Sequence, residues 1–236
     1  MFDQRYAVET VPRTVTAGTE MINQPTVPVE LGSPERMWQR ATVLVLIAAT
    51  RTARPAFRLH ERALSCAHSN GGWGLTLDPG GRAVFWGQDV DCSDTTYRGD
   101  KPVDLLVNAP DWLPVERFRE LNDCYELGYL YWWDRGRWGR APYPEFVEDD
   151  GLAASCDGYA GIFDDTSLAN AFADAGYRDR MAAERFVARV EAGTVNEAAL
   201  HELMGSACGV SRLPTRARLS TAMEWAARLG VAARAR

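Results

Sequence analysis

Lysine is nearly absent from this chain. Of 26 basic residues, 25 are arginine, and Lys101 is the single lysine. Coding from GC-rich DNA produces such a skew, so an arginine cluster here says little about phosphate binding. A basic excess is lacking too. The net charge is −6 and the isoelectric point about 5.2, which argues against a generalised nucleic-acid binder. Histidine occurs only at His60, His68 and His201. No H-E-x-x-H, G-x-S-x-G or Walker-type phosphate loop is present. The five cysteines (Cys66, Cys92, Cys124, Cys156 and Cys208) form no C-x-x-C pair. That disfavours a zinc ribbon or a thioredoxin-type site and suits free, mostly buried thiols in a reducing cytoplasm. Residues 1–31 lack the apolar stretch of a signal peptide, which agrees with a cytoplasmic expectation. Long hydrophobic runs are missing as well. The most apolar one, Ala41 to Ala49, falls short of the roughly 20 residues that span a bilayer, so it reads as core and no membrane partner is expected.

What is present is ordinary for a globular chain. With 236 residues, 46% hydrophobic and 25% charged, it can bury a sizeable core as one large domain or two small ones. Residues 1–32 show no helical period and read as an irregular or extended arm. Ser33-Pro34-Glu35 is a helix start: a Ser cap, Pro in the first turn, then an acid at the positive end of the dipole. That helix is predicted to stop before Pro55, and residues 56–68 read as a second one. Trp73 to Leu77 and Arg82 to Trp86 flank Asp78-Pro79-Gly80-Gly81 and predict a hairpin. A strand is expected at 103–107, a short helix ending at Cys124, and a second hairpin over 127–138 turning at 134–137. Segments 167–176, 178–191, 195–207 and 215–230 carry apolar residues at helical spacing. The fold class is therefore α+β: N-terminal helices and antiparallel hairpins over 33–160, then an all-helical part over 161–236, packed on the same core or separate.

Charge is distributed unevenly. Residues 141–176 hold eight acids and no Lys or Arg, whereas 208–236 hold six Arg and one acid. Three candidate sites follow. The first is Asp89-Val90-Asp91-Cys92-Ser93-Asp94, where alternate carboxylates could converge on a divalent metal. Asp94 stands where a calcium loop needs Gly, and capping of a polar turn accounts equally for the run. It resembles, over five residues, the D-x-D-x-T motif of haloacid-dehalogenase phosphatases. That resemblance implies a metal-dependent hydrolase using Asp89, Asp91 and Asp94.

The second candidate is the hairpin Tyr129 to Arg140 together with the acidic run Glu148-Asp149-Asp150. On a strand, Tyr129, Tyr131 and Trp133 share one face, while Leu130 and Trp132 share the other. Both faces are not easily core in a two-layer domain, so one is expected at a protein interface, in which Trp, Tyr and Arg are common anchors. Tyr129, Tyr131, Trp133, Arg135, Arg137, Trp138, Glu148, Asp149 and Asp150 are then the partner-binding residues. Core packing and stacking on bases or sugars are the alternatives.

The third candidate lies near the C-terminus. Gly209-Val210-Ser211, Thr215 and Arg218 resemble the turn and recognition-helix start of repressor-type helix-turn-helix domains. The resemblance implies DNA binding through Arg212, Arg216 and Arg218. A plain helical hairpin is the other reading. The expectation carried forward is a non-enzymatic protein-binding module with no cofactor, similar in composition to the small acidic immunity and antitoxin proteins. A DNA-binding regulator and a metal-dependent hydrolase are the alternatives.

Overall fold

A computed structural model describes residues 31–52, 55–156, 162–207 and 215–233. The chain opens with α1 (Pro34–Ala49). Ser33 caps it by accepting from the Arg36 N–H at 3.3 Å. Strands β1 (Phe57–His60), β2 (Ala63–His68), β3 (Gly71–Leu77) and β4 (Ala83–Asp89) follow, then α2 (Asp94–Tyr97) and α3 (Val115–Asp123). Next come β5 (Tyr129–Asp134), β6 (Arg137–Gly139) and α4 (Leu152–Ser155). The chain ends in α5 (Asp165–Asp174), α6 (Arg180–Glu191), α7 (Glu197–Gly205) and α8 (Thr215–Arg228). The six strands form one antiparallel meander in sequence order. The fold is mixed α+β, and no described helix is long and apolar enough to cross a membrane.

Both expected hairpins are present. Leu77 pairs with Ala83 across the Asp78-Pro79-Gly80-Gly81 turn, where the Asp78 carboxylate accepts from the Gly80 N–H. Asp134 pairs with Arg137 across Arg135 and Gly136, both left-handed (φ 50° and 79°), which is the two-residue geometry that suits strand twist. Three C-terminal helices are capped by side chains as well. Asp164, Asp179 and Asn196 each accept from the N–H three residues on.

Two elements differ from expectation. Residues 56–68 are not a helix but the β1–β2 hairpin, turning at Glu61 with φ 52°. β2 pairs along its whole length with β3, so ladder bonds outweigh the modest helical spacing of Phe57, Leu59, Ala63 and Leu64. Residues 103–107 are a turn rather than a strand. The Asp104 carboxylate accepts from the Leu106 N–H at 3.0 Å, and Leu105 and Leu106 point into the protein. The 1–30 arm and the Gly209-Val210-Ser211 turn lie outside the described residues.

The sheet is covered on both faces. On one, Phe57, Leu64, Cys66, Trp73, Leu75, Phe85, Tyr129 and Tyr131 join α1 and α5–α8 in one hydrophobic cluster. On the other, Val84, Trp86, Leu130 and Trp132 meet Leu105, Leu106, Leu113, Phe118 and Leu127. Every residue of β4 is buried as a result. The Trp86 ring lies across Gly74 of the neighbouring strand, where a Cβ would come within 2.3 Å of the indole, and it meets Phe118 edge-on at 5.5 Å. The main cluster is continuous from α1 and the sheet into Leu168, Phe172, Phe186, Leu200, Leu203, Ala222 and Trp225.

Two glycine substitutions test this packing with opposite signs. Gly74→Ala is expected to destabilise by about 1–3 kcal/mol, since the methyl has to displace the Trp86 ring. Gly205→Ala, in an open helical position, is expected to stabilise by about 0.5–1 kcal/mol. Urea unfolding midpoints of the two variants read both.

Candidate functional site

Three loops meet where β4 ends and β5 begins. The first leaves β4 at Asp89. Its carboxylate accepts from the Asp91 N–H at 3.0 Å and so closes a local turn. Ser93 is the pivot. Its hydroxyl accepts from the Asp89 N–H at 3.1 Å and donates to the Asp150 carbonyl at 3.0 Å. Gly128 and Gly151 both press on that hydroxyl, and a Cβ at either would lie within 2.2 Å of it. Gly151 also has φ +83°, a conformation that side chains disfavour.

The second loop, 123–128, is fastened to the first by Gln88. Its amide donates to the Tyr97 hydroxyl at 2.7 Å and to the Tyr125 carbonyl at 2.6 Å. Thr96 donates to the Leu127 carbonyl at 3.1 Å, and Thr95 donates to that of Gly128. The third loop, 143–151, hangs from Asp94. That carboxylate accepts from the N–H groups of Glu148 (2.9 Å) and Asp149 (3.1 Å) and pairs with Arg98 at 2.9 Å. Burial works to raise the Asp94 pKa, but the two N–H groups and the guanidinium outweigh it and hold the carboxyl below its usual value. Arg98 also reaches Glu148 at 3.1 Å, an exposed pair of little energetic weight.

Beneath the loops lies a buried carboxyl. Asp150 accepts from the hydroxyls of Tyr131 (2.6 Å) and Tyr143 (2.9 Å) and from the Leu152 N–H (3.0 Å). Arg140 stacks on the Tyr143 ring at 3.7 Å. Burial raises the Asp150 carboxyl to about 6, and its three donors only partly offset that. Burial also raises Asp149, helped by its neighbours Asp94 and Asp89 and opposed by the Gly151 N–H.

The outer surface of this junction is aromatic and acidic. Tyr97, Tyr125 and Phe146 are each 40–49% exposed, as is Val90 at the exit of β4. Phe146 faces Gly99, two residues from Tyr97, and the Tyr97 hydroxyl reaches back to the Tyr125 carbonyl. The loops that carry them also carry Asp91, Asp94, Asp100, Asp123, Glu126, Glu145, Glu148 and Asp149, with Arg98 and Lys101 as their basic residues.

This arrangement changes the standing of the sequence candidates. Tyr129 and Tyr131 are buried core residues on the face that α1 and α5–α8 cover, while α3 and the 101–114 segment cover Leu130 and Trp132 on the other, so both faces of β5 are core. Asp150 is buried as well and is the acceptor for Tyr131. Trp133 and Trp138 are half-buried and packed edge-on at 5.5 Å, and the Trp138 indole donates to the Gly32 carbonyl at 2.8 Å. Arg135 and Arg137 are exposed at the hairpin tip. That tip lies about 17 Å along β5 from the acidic loops, so Glu148 and Asp149 are not brought together with it.

Of the metal candidates, Asp89 accepts a backbone N–H on Oδ1, Asp94 accepts two on Oδ2, and Asp91 accepts from Asn70. Among the described residues no cluster of three or more His, Cys, Asp or Glu could hold a metal ion. Burial pushes the Cys156 thiol up to about 12, and His68 donates to the Ser155 carbonyl at 2.8 Å. Of the DNA candidates, Arg212 lies outside the described residues and Arg216 is exposed, while Arg218 donates to the Thr50 carbonyl and fastens α8 to the end of α1.

Sequence reasoning passed over Tyr97, Tyr125, Tyr143 and Phe146. A signal existed for the last two: Tyr143 and Phe146 sit among Pro142, Pro144 and Glu145, an unusual place for aromatic rings in an acidic stretch.

The raised Asp150 pKa has a definite sign in stability. Unfolded, this group ionises near 3.8; folded, near 6. Its contribution is fully present below pH 4 and is lost as pH rises through 6, by about 3 kcal/mol. The difference in unfolding free energy between the wild type and Asp150→Asn is expected to shift across that window, and a pH-independent difference would contradict it. Comparison with known proteins adds no relative to this geometry: no protein-family model matches the chain, and neither curated proteins nor solved structures give a match.

Proposed function

We propose that the chain is a non-enzymatic protein-binding module that holds a basic macromolecular partner through the Tyr97–Tyr125–Phe146 surface. One observation carries the reading. Three aromatic side chains stand exposed on loops that are hydrogen-bonded from below and that carry eight further carboxylates and two cations. Exposed rings held by a rigid base are costly to display without a partner, and they supply anchoring area at little entropic cost. The acidic field would steer a cationic partner and favour arginine or lysine over the ring faces. In composition this matches the way immunity and antitoxin proteins engage basic toxins, an analogy of chemistry and not of descent.

The reading replaces the hairpin tip with the loop junction as the contact surface. Glu148 and Asp149 are retained from the original set. A catalytic role gains nothing from the Asp150–Tyr131–Tyr143 group, since Asp150 and Tyr131 are buried, Tyr143 is half-buried, and the three are engaged with one another.

Affinity capture from the source lysate with the tagged protein and with a Tyr97→Ala/Tyr125→Ala/Phe146→Ala variant tests it. A basic protein retained by the wild type and lost at least tenfold from the variant is expected, with unchanged circular dichroism. Retention should weaken with salt. Equal retention by both, or nucleic acid as the salt-released species, would overturn the reading.

A further inference from the structure

On the opposite side of the core, α5 and α6 straddle α1 and leave an apolar groove of about 760 Å³. Its floor is Leu168, Phe172 and Tyr177, and its walls are exposed alanines, Ala169 and Ala173 on α5 and Ala188 on α6. Both helices therefore show the groove a face of i, i+3, i+4 spacing, which is what a packed helix surface shows a neighbour.

The charges along the rim decide what could fill it. Asp165 is taken by Arg36 and Arg40, and Glu184 by Arg180. Two rim charges make no ion pair among the described residues: Arg178 at one end and Glu191 at the other. They are separated by the length of α6, about 18 Å. A two-fold axis through the middle of the groove would set Arg178 of each copy against Glu191 of the other, and would do so twice. Met181 is 59% exposed and, seven residues before Ala188, shares that residue's stripe of α6. It is a protruding apolar side chain beside a wall of small ones, as a self-complementary contact requires.

We propose that a second copy of this chain occupies the α5–α6 groove, in a symmetric dimer closed by reciprocal Arg178–Glu191 pairs over the alanine walls. This surface is separate from the loop junction, and neither reading depends on the other.

Sedimentation equilibrium over micromolar concentrations tests it on the full chain. The wild type is expected to dimerise. Ala173→Arg, at an exposed position, is expected to leave a folded monomer. Arg178→Glu and Glu191→Arg should each raise the dissociation constant about tenfold or more, because like charges then meet at both symmetry-related contacts. The double reversal restores the opposite signs and should recover most of the affinity. A wild type that stays monomeric overturns the proposal, as does a double reversal no better than the singles. A monomer that Ala173→Arg destabilises would show the groove filled from within the chain, which also overturns it.

Discussion

The structure depends on a sheet that is buried on both faces. β4 has no exposed residue, and Trp86 reaches over Gly74 on one side while Phe85 packs against Phe163 on the other. A strand in this position gives up any direct contact with solvent. The aromatic pairs of β4 and β5 become the interior of a three-layer domain, with α1 and α5–α8 on one side and α3 with its preceding turns on the other. Burying each such side chain is worth about 1.5–3 kcal/mol, far more than any exposed ion pair in the molecule. The function of the sheet is thus to hold its ends still.

Its ends are where polar chemistry collects. At the β4–β5 end, Ser93 and Asp94 serve as acceptors and donors for three loops, and Gly128 and Gly151 leave room for them. The buried Asp150 carboxyl draws Tyr131 and Tyr143 onto one oxygen and so joins the outer loop to the sheet. Its raised pKa reflects its burial among these partners. The displayed rings of Tyr97, Tyr125 and Phe146 owe their fixed positions to this base.

Local chemistry in the sequence was readable where it was self-contained. The Ser33-Pro34 start of α1, the Asp78-Pro79-Gly80-Gly81 turn and the Arg135-Gly136 turn need only their own residues. The β1–β2 hairpin was not readable in the same way, because what makes residues 63–68 a strand is β3 alongside. The third layer was hidden for a similar reason. Leu105 and Leu106 look like strand residues until Asp104 turns the backbone and sends them under Trp86 and Leu130. The acidic run was seen as charge, but Asp150 differs from Glu148 through its burial and its tyrosine donors, of which Tyr131 lies 19 residues away. The acidic bias showed itself in composition, while the exposed aromatic loops became visible only once burial separated one set of tyrosines from another.

That separation is the central claim, and nitration of the native protein with peptide-level mass spectrometry tests it directly. The account predicts that Tyr97 and Tyr125 are modified while Tyr129 and Tyr131, both essentially inaccessible, are spared until the protein unfolds. Modification of Tyr129 and Tyr131 in the native state, at a rate matching Tyr97 and Tyr125, would contradict it and return the hairpin to the surface.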